Sequence, residues 1–188
     1  KKRLIPVLYI KNGFIVRSEN FEEFKIIGNV VNEVRRYNQW DIDELVYIDI
    51  SRDKNYDSRR DDHKIGRINS IEDVLEVVSK ECFMPLTFGG GVRDLYTIKK
   101  YLKNGADKVI LNTMLYTNPD AVKEAVRIFG SQAVVAGIDY RIINDEFCFF
   151  IENGTKKIED SLENITDYIL ELGCGEVFLT SIDRDGKG

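Results

Sequence analysis

Asp49, Asp139, Asp183 and Asp185 each stand where an apolar run gives way to polar residues, as do Tyr9, Lys11, Gly89-Gly90-Gly91 and Asn112-Thr113. In a barrel of alternating strands and helices, chemistry sits where strands end and loops begin. The stretch Phe88-Gly-Gly-Gly-Val-Arg-Asp94 would let backbone N–H groups approach a phosphate at the start of the following helix. A tight strand-to-helix turn accounts for three glycines equally well. With Asn112-Thr113 closing the next apolar run, a phosphate cradle at Gly91, Asn112 and Thr113 becomes the better reading. Histidine catalysis is not expected, because the only histidine, His63, lies in a charged segment. Cys82, Cys148 and Cys174 lack metal-type spacing and read as buried small hydrophobes in a reducing compartment. No metal and no cofactor are expected.

Strand-length apolar runs position these residues: Leu4–Ile10, Leu45–Ile50, Met84–Phe88, Lys108–Asn112, Ala133–Asp139 and Glu176–Ser181. They are almost continuously apolar, the pattern of parallel strands covered on both faces. Segments of helical period follow. Their stripes are Val30, Val31, Val34 and Tyr37; Val74, Val77 and Val78; Leu95, Ile98 and Leu102; Val122, Val126 and Phe129; and Ile165, Ile169 and Leu172. Ser70 with Asp73 resembles a capping box, and Asn118-Pro119 places an N-cap before a proline at the first helical position. Gly105, Gly130 and Gly173 suit helix ends.

This alternation gives a parallel α/β domain, either doubly wound or a (β/α)8 TIM barrel. Six strand–helix units in 188 residues fit the barrel, whose usual size is about 250 residues. The expectation is one barrel domain over residues 1–188, with its C-terminal part missing. A net charge of −5, from 27 basic and 32 acidic side chains without basic blocks, argues against nucleic acid and against a membrane surface. No signal peptide is read at the N-terminus, and the expected location is cytoplasmic.

A weak internal repeat supports the barrel. Glu44-Leu-Val-Tyr-Ile-Asp-Ile-Ser-Arg-Asp53 aligns with Glu176-Val-Phe-Leu-Thr-Ser-Ile-Asp-Arg-Asp185, and nearly the same offset pairs Tyr9 with Asp139. Two half-barrels would produce such a pattern. Chance likeness between apolar strands would do so too.

The chain resembles the cyclase subunit of imidazole glycerol phosphate synthase, HisF, over essentially its whole length. Lys11-Asn12-Gly13, Asp43-Glu44-Leu45-Val46, Phe88-Gly89-Gly90-Gly91-Val92, Gly105-Ala-Asp-Lys-Val109, Asn112-Thr113, Phe129-Gly-Ser-Gln-Ala-Val134 and Thr180-Ser-Ile-Asp-Arg-Asp-Gly186 carry the resemblance. It implies two acid–base aspartates, at the ends of the first and fifth strands. The fifth-strand residue is present as Asp139. Tyr9 occupies the first-strand position, and a phenol with a pKa of about 10 is a poor substitute for a carboxylate base. Arg17 stands where the family's flexible first loop carries a lysine. The resemblance also implies substrate or phosphate contacts from Lys11, Arg17, Asp49, Gly91, Asn112, Thr113, Asp185 and Gly186.

At the strand starts, the resemblance implies an ammonia gate built from Arg3, Glu44, Lys108 and Glu176, facing a glutaminase partner. Asp107 lies beside the lysine, where the family contacts its glutaminase. A gate kept beside a depleted acid–base pair resembles a family offshoot that accompanies a glutaminase and an ATP-dependent sugar amidotransferase in surface-polysaccharide pathways. Ile5-Pro-Val-Leu-Tyr-Ile-Lys-Asn-Gly13 is closer to that offshoot. The expected function is therefore an ammonia-receiving, cyclase-like barrel that also binds a phosphorylated small molecule. Its alternatives are an active histidine-pathway cyclase and a sugar-phosphate-binding scaffold. The charged segment Ser51–Arg67 is either a solvated loop or a docking surface for a third protein.

Overall fold

The computed structural model describes residues 2–52, 56 and 68–187. Its strand–helix alternation is that of an α/β, TIM-barrel-like fold, and the described residues form two compact units. Of the described residues, the first takes 2–17, 25–52, 56, 68–91 and 99–107; the second takes 18–24, 92–98 and 108–187.

In the first unit, β1 (Val7–Lys11), β4 (Leu45–Asp49) and β5 (Leu86–Gly89) are parallel, and β2 (Phe14–Glu19) folds back antiparallel on β1. The helices α1 (Val30–Gln39) and α2 (Ile71–Glu81) pack together. Arg35 grips Glu81 across them through two hydrogen bonds of 3.0 and 2.8 Å. The Asn29 side chain caps α1, accepting from Val31 N and Asn32 N. Ser70 caps α2 as expected, while Asp73 accepts from Asn69 N at 2.8 Å. Tyr47 and Phe88 lie fully buried, and the Tyr47 hydroxyl donates to the Val30 carbonyl at 2.7 Å. A buried phenol thereby keeps its hydrogen bond.

In the second unit, β6 (Lys108–Leu111), β7 (Val134–Ile143) and β10 (Glu176–Ser181) are parallel. β8 (Glu146–Ile151) and β9 (Lys156–Ile158) extend β7 antiparallel. The helices α4 (Thr113–Thr117), α5 (Pro119–Phe129) and α6 (Leu162–Leu172) bury Met114, Leu115, Val122, Ala125, Ile165 and Leu172. Two further elements, β3 (Glu23–Asn29) and α3 (Leu95–Lys103), complete the order.

Glu176–Ser181 forms over its expected bounds, whereas the first strand starts at Val7 rather than Leu4 and the third at Leu86 rather than Met84. The fifth strand continues past Asp139 to Ile143, because β8 pairs with residues 139–143. Asn118 stands at the N-cap of α5 before Pro119, as expected, but caps through its backbone alone. Its side chain makes no capping hydrogen bond, and only its carbonyl accepts from Val122 N at 3.3 Å, with Pro119 fixing the first turn. The three cysteines are free and half-buried rather than fully buried. Burial pushes the Cys82 thiol up and the Cys174 thiol up to about 11. The shift disfavours the reactive thiolate at both.

Candidate functional site

The two units share a construction. In the first, β1 and β4 pair so that Tyr9 faces Ile48; in the second, β7 and β10 pair so that Asp139 faces Thr180. Tyr9 therefore occupies in one unit the register that Asp139 occupies in the other. At the opposite ends of the strands each unit holds one expected ion pair. Arg3 Nη1 lies 3.1 Å from Glu44 Oε2, and Lys108 Nζ lies 2.7 Å from Glu176 Oε1. Glu44 is only 3% exposed and also accepts from the Thr87 hydroxyl. Asp107 accepts from Leu86 N at 2.8 Å, so its carboxylate secures the start of β5.

In the first unit Lys11 ends β1 half-buried, and Arg17 is exposed on β2. Asp49 ends β4 with both carboxylate oxygens engaged. Oδ1 accepts from the Ser51 hydroxyl and N–H at 2.6 and 3.0 Å, and Oδ2 accepts from the Tyr56 hydroxyl at 2.9 Å. Burial and the Asp49 charge hold the Tyr56 phenol far above its usual range, so it stays a donor. Gly90, at φ +97, needs its missing side chain, since a Cβ would lie 1.9 Å from the Asp49 carbonyl oxygen. Gly91 is exposed at φ +67, with open space where a side chain would be.

In the second unit the Asn112 amide donates to the Gly137 carbonyl at 3.0 Å, and the Thr113 hydroxyl accepts from Glu152 N at 3.0 Å. These side chains tie the end of β6 to the β7–β8 region. Asp139 has the most useful acidity. Burial, with a contribution from the Asp185 charge, raises its carboxyl to about 7 against the opposing hydrogen bond from Thr180. A carboxyl there can donate or accept a proton near neutrality. Asp185 Oδ2 accepts from the Ser18 hydroxyl at 2.6 Å and from Phe21 N at 3.0 Å. Gly186 follows at φ +69, its backbone tight against Ser18.

Sequence reasoning did not single out Ser18, Tyr56, Thr87 or Thr180 as partners of these carboxylates. Ser51, two residues after Asp49, carried a usable signal because an aspartate readily accepts from the backbone two residues on. His63 and most of the Ser51–Arg67 segment lie outside the described residues. Among the described residues no group of three or more His, Cys, Asp or Glu could hold a metal ion. No helix among them is long and apolar enough to cross a membrane.

Parallel β/α units, with Asp139 part-buried where β7 begins to pair with β8, are those of a TIM-barrel-like α/β protein, a class that places its chemistry at the C-terminal ends of the strands. The family model described as "Histidine biosynthesis protein" matches residues 3–188. Over 100% of this chain and 70% of the relative's length, the chain is 39% identical to the "Putative imidazole glycerol phosphate synthase subunit hisF2" of Campylobacter jejuni. It is 34% identical to the Leptospira interrogans "Putative imidazole glycerol phosphate synthase subunit HisF", over 99% of the chain and 70% of that relative. For the Chlorobium phaeovibrioides "Imidazole glycerol phosphate synthase subunit HisF" the figures are 37%, 98% and 69%. The chain belongs to the histidine biosynthesis protein family and is HisF-like.

Proposed function

We propose that this HisF-like chain serves in a glutamine amidotransferase system as the barrel subunit that receives ammonia from a glutaminase docked at the strand starts. The carrying observation is the register equivalence of Tyr9 and Asp139: one position keeps a carboxyl tuned near neutrality and the other has a phenol. A two-carboxylate cyclase mechanism loses one member there, whereas ammonia transfer requires neither. The ion pairs Arg3–Glu44 and Lys108–Glu176 support a retained gate, with Asp107 toward the glutaminase. The ammonia is passed on for amidation of a surface-polysaccharide sugar by an ATP-dependent sugar amidotransferase. Lys11, Arg17, Asp49, Gly91, Asn112, Thr113, Asp185 and Gly186 remain the proposed contacts for a phosphorylated small molecule.

The test is reconstitution with a glutaminase and the sugar amidotransferase. Lys108→Ala should leave glutamine hydrolysis running while amidated product per glutamine falls. Unchanged stoichiometry would remove Lys108 from the gate, and absence of any glutaminase complex would favour a scaffold. One observation favours the second reading, an active imidazole glycerol phosphate synthase cyclase subunit: Asp139 still has the acidity of a working acid–base group.

A further inference from the structure

We infer that Asp185 clasps the tip of the β2–β3 hairpin through Ser18 and Phe21, and so acts as a positioning residue beside Asp139. The tip is an unusual turn. Glu22 N donates to the Glu19 carbonyl at 3.0 Å around Asn20 and Phe21, whose φ angles are +54 and +61. Two left-handed central residues make the tight hairpin turn in which glycine normally takes the second place. Phe21 is bulky and adopts this backbone against its own preference, so the surroundings must hold it there.

Those surroundings come from the chain after β10. The Asp185 carboxylate accepts from the Ser18 hydroxyl and from Phe21 N, and its carbonyl accepts from Asn20 N at 3.2 Å. Three donors along the tip, the Ser18 hydroxyl and the Asn20 and Phe21 amides, therefore meet one residue. Gly186 shows how close the approach is. A Cβ there would lie 2.2 Å from the Ser18 carbonyl oxygen and 3.0 Å from Glu19 Cα, a clash with backbone that cannot swing away. A Cβ at Gly154 would only touch the Phe21 ring, at 3.4 Å, so the close approach to the tip is that of Gly186. Ser18 itself is buried, which makes its hydrogen bond to a charged carboxylate part of the packed structure rather than a passing surface contact.

The clasp acts on Asp139 through charge. The Asp185 charge disfavours ionisation of Asp139, against the hydrogen bond from Thr180. By fixing where that charge sits, the clasp helps hold Asp139 as a proton donor. A ligand offering its own hydroxyl or N–H groups to Asp185 would compete with Ser18 and Phe21 for the same oxygens, coupling hairpin release to ligand arrival. The inference uses the proposed function only in taking Asp139 as the acid–base group, and its readouts do not depend on ammonia traffic.

The experiment combines amide hydrogen exchange over residues 18–24 with a titration of the Asp139 carboxyl by NMR, in the intact chain. Asp185→Ala should speed exchange of the Asn20 and Phe21 amides about tenfold or more, the scale on which losing charge-assisted hydrogen bonds opens a local segment. Asp185→Asn keeps the side-chain size and an acceptor oxygen but removes the charge. It should lower the Asp139 midpoint while loosening the tip less. Ser18→Ala should loosen the tip with a smaller effect on Asp139. Unchanged exchange in both Asp185→Ala and Ser18→Ala would overturn the clasp. An Asp139 midpoint that does not move in Asp185→Asn would overturn its positioning role.

Discussion

Tyr9 and Asp139 hold equivalent places in two similarly built units, Tyr9 opposite Ile48 and Asp139 opposite Thr180. A cyclase that needs a carboxylate at both places has a phenol at one of them. The chain should therefore form imidazole glycerol phosphate from its ribulosyl precursor and ammonium salts roughly 10²–10⁴-fold more slowly than a histidine-pathway cyclase, the usual cost of one acid–base group. Steady-state turnover with ammonium chloride measures this. Turnover matching a histidine-pathway cyclase would restore the second reading.

Asp139 should also leave a signature in stability. Its folded-state carboxyl is raised to about 7 from an ordinary value of 3.8. A folded group with a raised pKa favours the folded state fully below the unfolded pKa, and that advantage is lost as pH climbs through the folded one. Stability from this residue should therefore decline between about pH 4 and pH 7 and stay low above. Asp139→Asn removes the buried charge and should raise the melting temperature at pH 8 relative to wild type. At pH 5, where wild-type Asp139 is largely protonated, the gain should shrink. For a chain of this size each kcal/mol relieved corresponds to about 2–4 °C. Thermal denaturation at the two pH values decides it, and an equal shift at both would show that Asp139 ionises freely.

The two ion pairs proposed for the gate should differ in how much they support the fold. Glu44 is nearly inaccessible and is held by both Arg3 and Thr87, whereas the Glu176 side chain is 39% exposed. Arg3→Ala leaves a buried carboxylate with one partner fewer and should cost about 1–3 kcal/mol. Glu176→Ala leaves the Lys108 side chain, 14% exposed, with one partner fewer and should cost about 1 kcal/mol, between an exposed pair and a buried one. Urea denaturation of the two variants gives the comparison, and equal costs would show that the two pairs are not distinguished by burial.

Repetition and punctuation made much of this legible in the sequence. Ser70 with Asp73 announced the start of α2, and the weak likeness of the Glu44 and Glu176 segments pointed to strands with matching charged starts. The hairpins were harder. The β2–β3 turn uses Asn20-Phe21 and the β7–β8 turn uses Asn144-Asp145, all four at positive φ, without the glycine that usually marks such turns. Both lie inside runs long enough to read as loop between a strand and the next helix. The clasp on Asp185 was illegible for another reason. It joins Ser18 to a residue far along the chain through polar side chains with no period of their own, so only the folded chain shows them together.

The proposed phosphate contacts yield a prediction that separates backbone from side chain. Asn112 and Thr113 already spend side-chain groups on Gly137 and Glu152, so an anion near them would rely on backbone N–H groups. Inorganic phosphate titrated into labelled protein should shift the backbone amides of Gly91 or Thr113, and Thr113→Ala should keep that shift while loosening the Glu152 region. No amide shift at either position up to high phosphate would remove both residues from the proposed contacts.

Gly90 offers the sharpest structural test of the rim. Its φ of +97 is one that side chains rarely adopt, and a Cβ would meet the Asp49 backbone at 1.9, 2.7 and 2.7 Å from its O, C and N. Nothing at that contact is the flexible end of a side chain, so relief requires moving the backbone of Asp49. Both oxygens of the Asp49 carboxylate are committed to Ser51 and Tyr56, and shifting its backbone would pull on those bonds as well. Gly90→Ala should therefore cost more than the about 1 kcal/mol of an ordinary glycine replacement and fall among the large single-site losses, about 4 kcal/mol or more. Gly91→Ala is the control. It shares a positive φ but has open space around the added methyl, so it should cost only the backbone strain, about 1–2 kcal/mol. Urea denaturation of both variants measures the difference, and comparable losses would mean that the turn yields where the structure shows it closed.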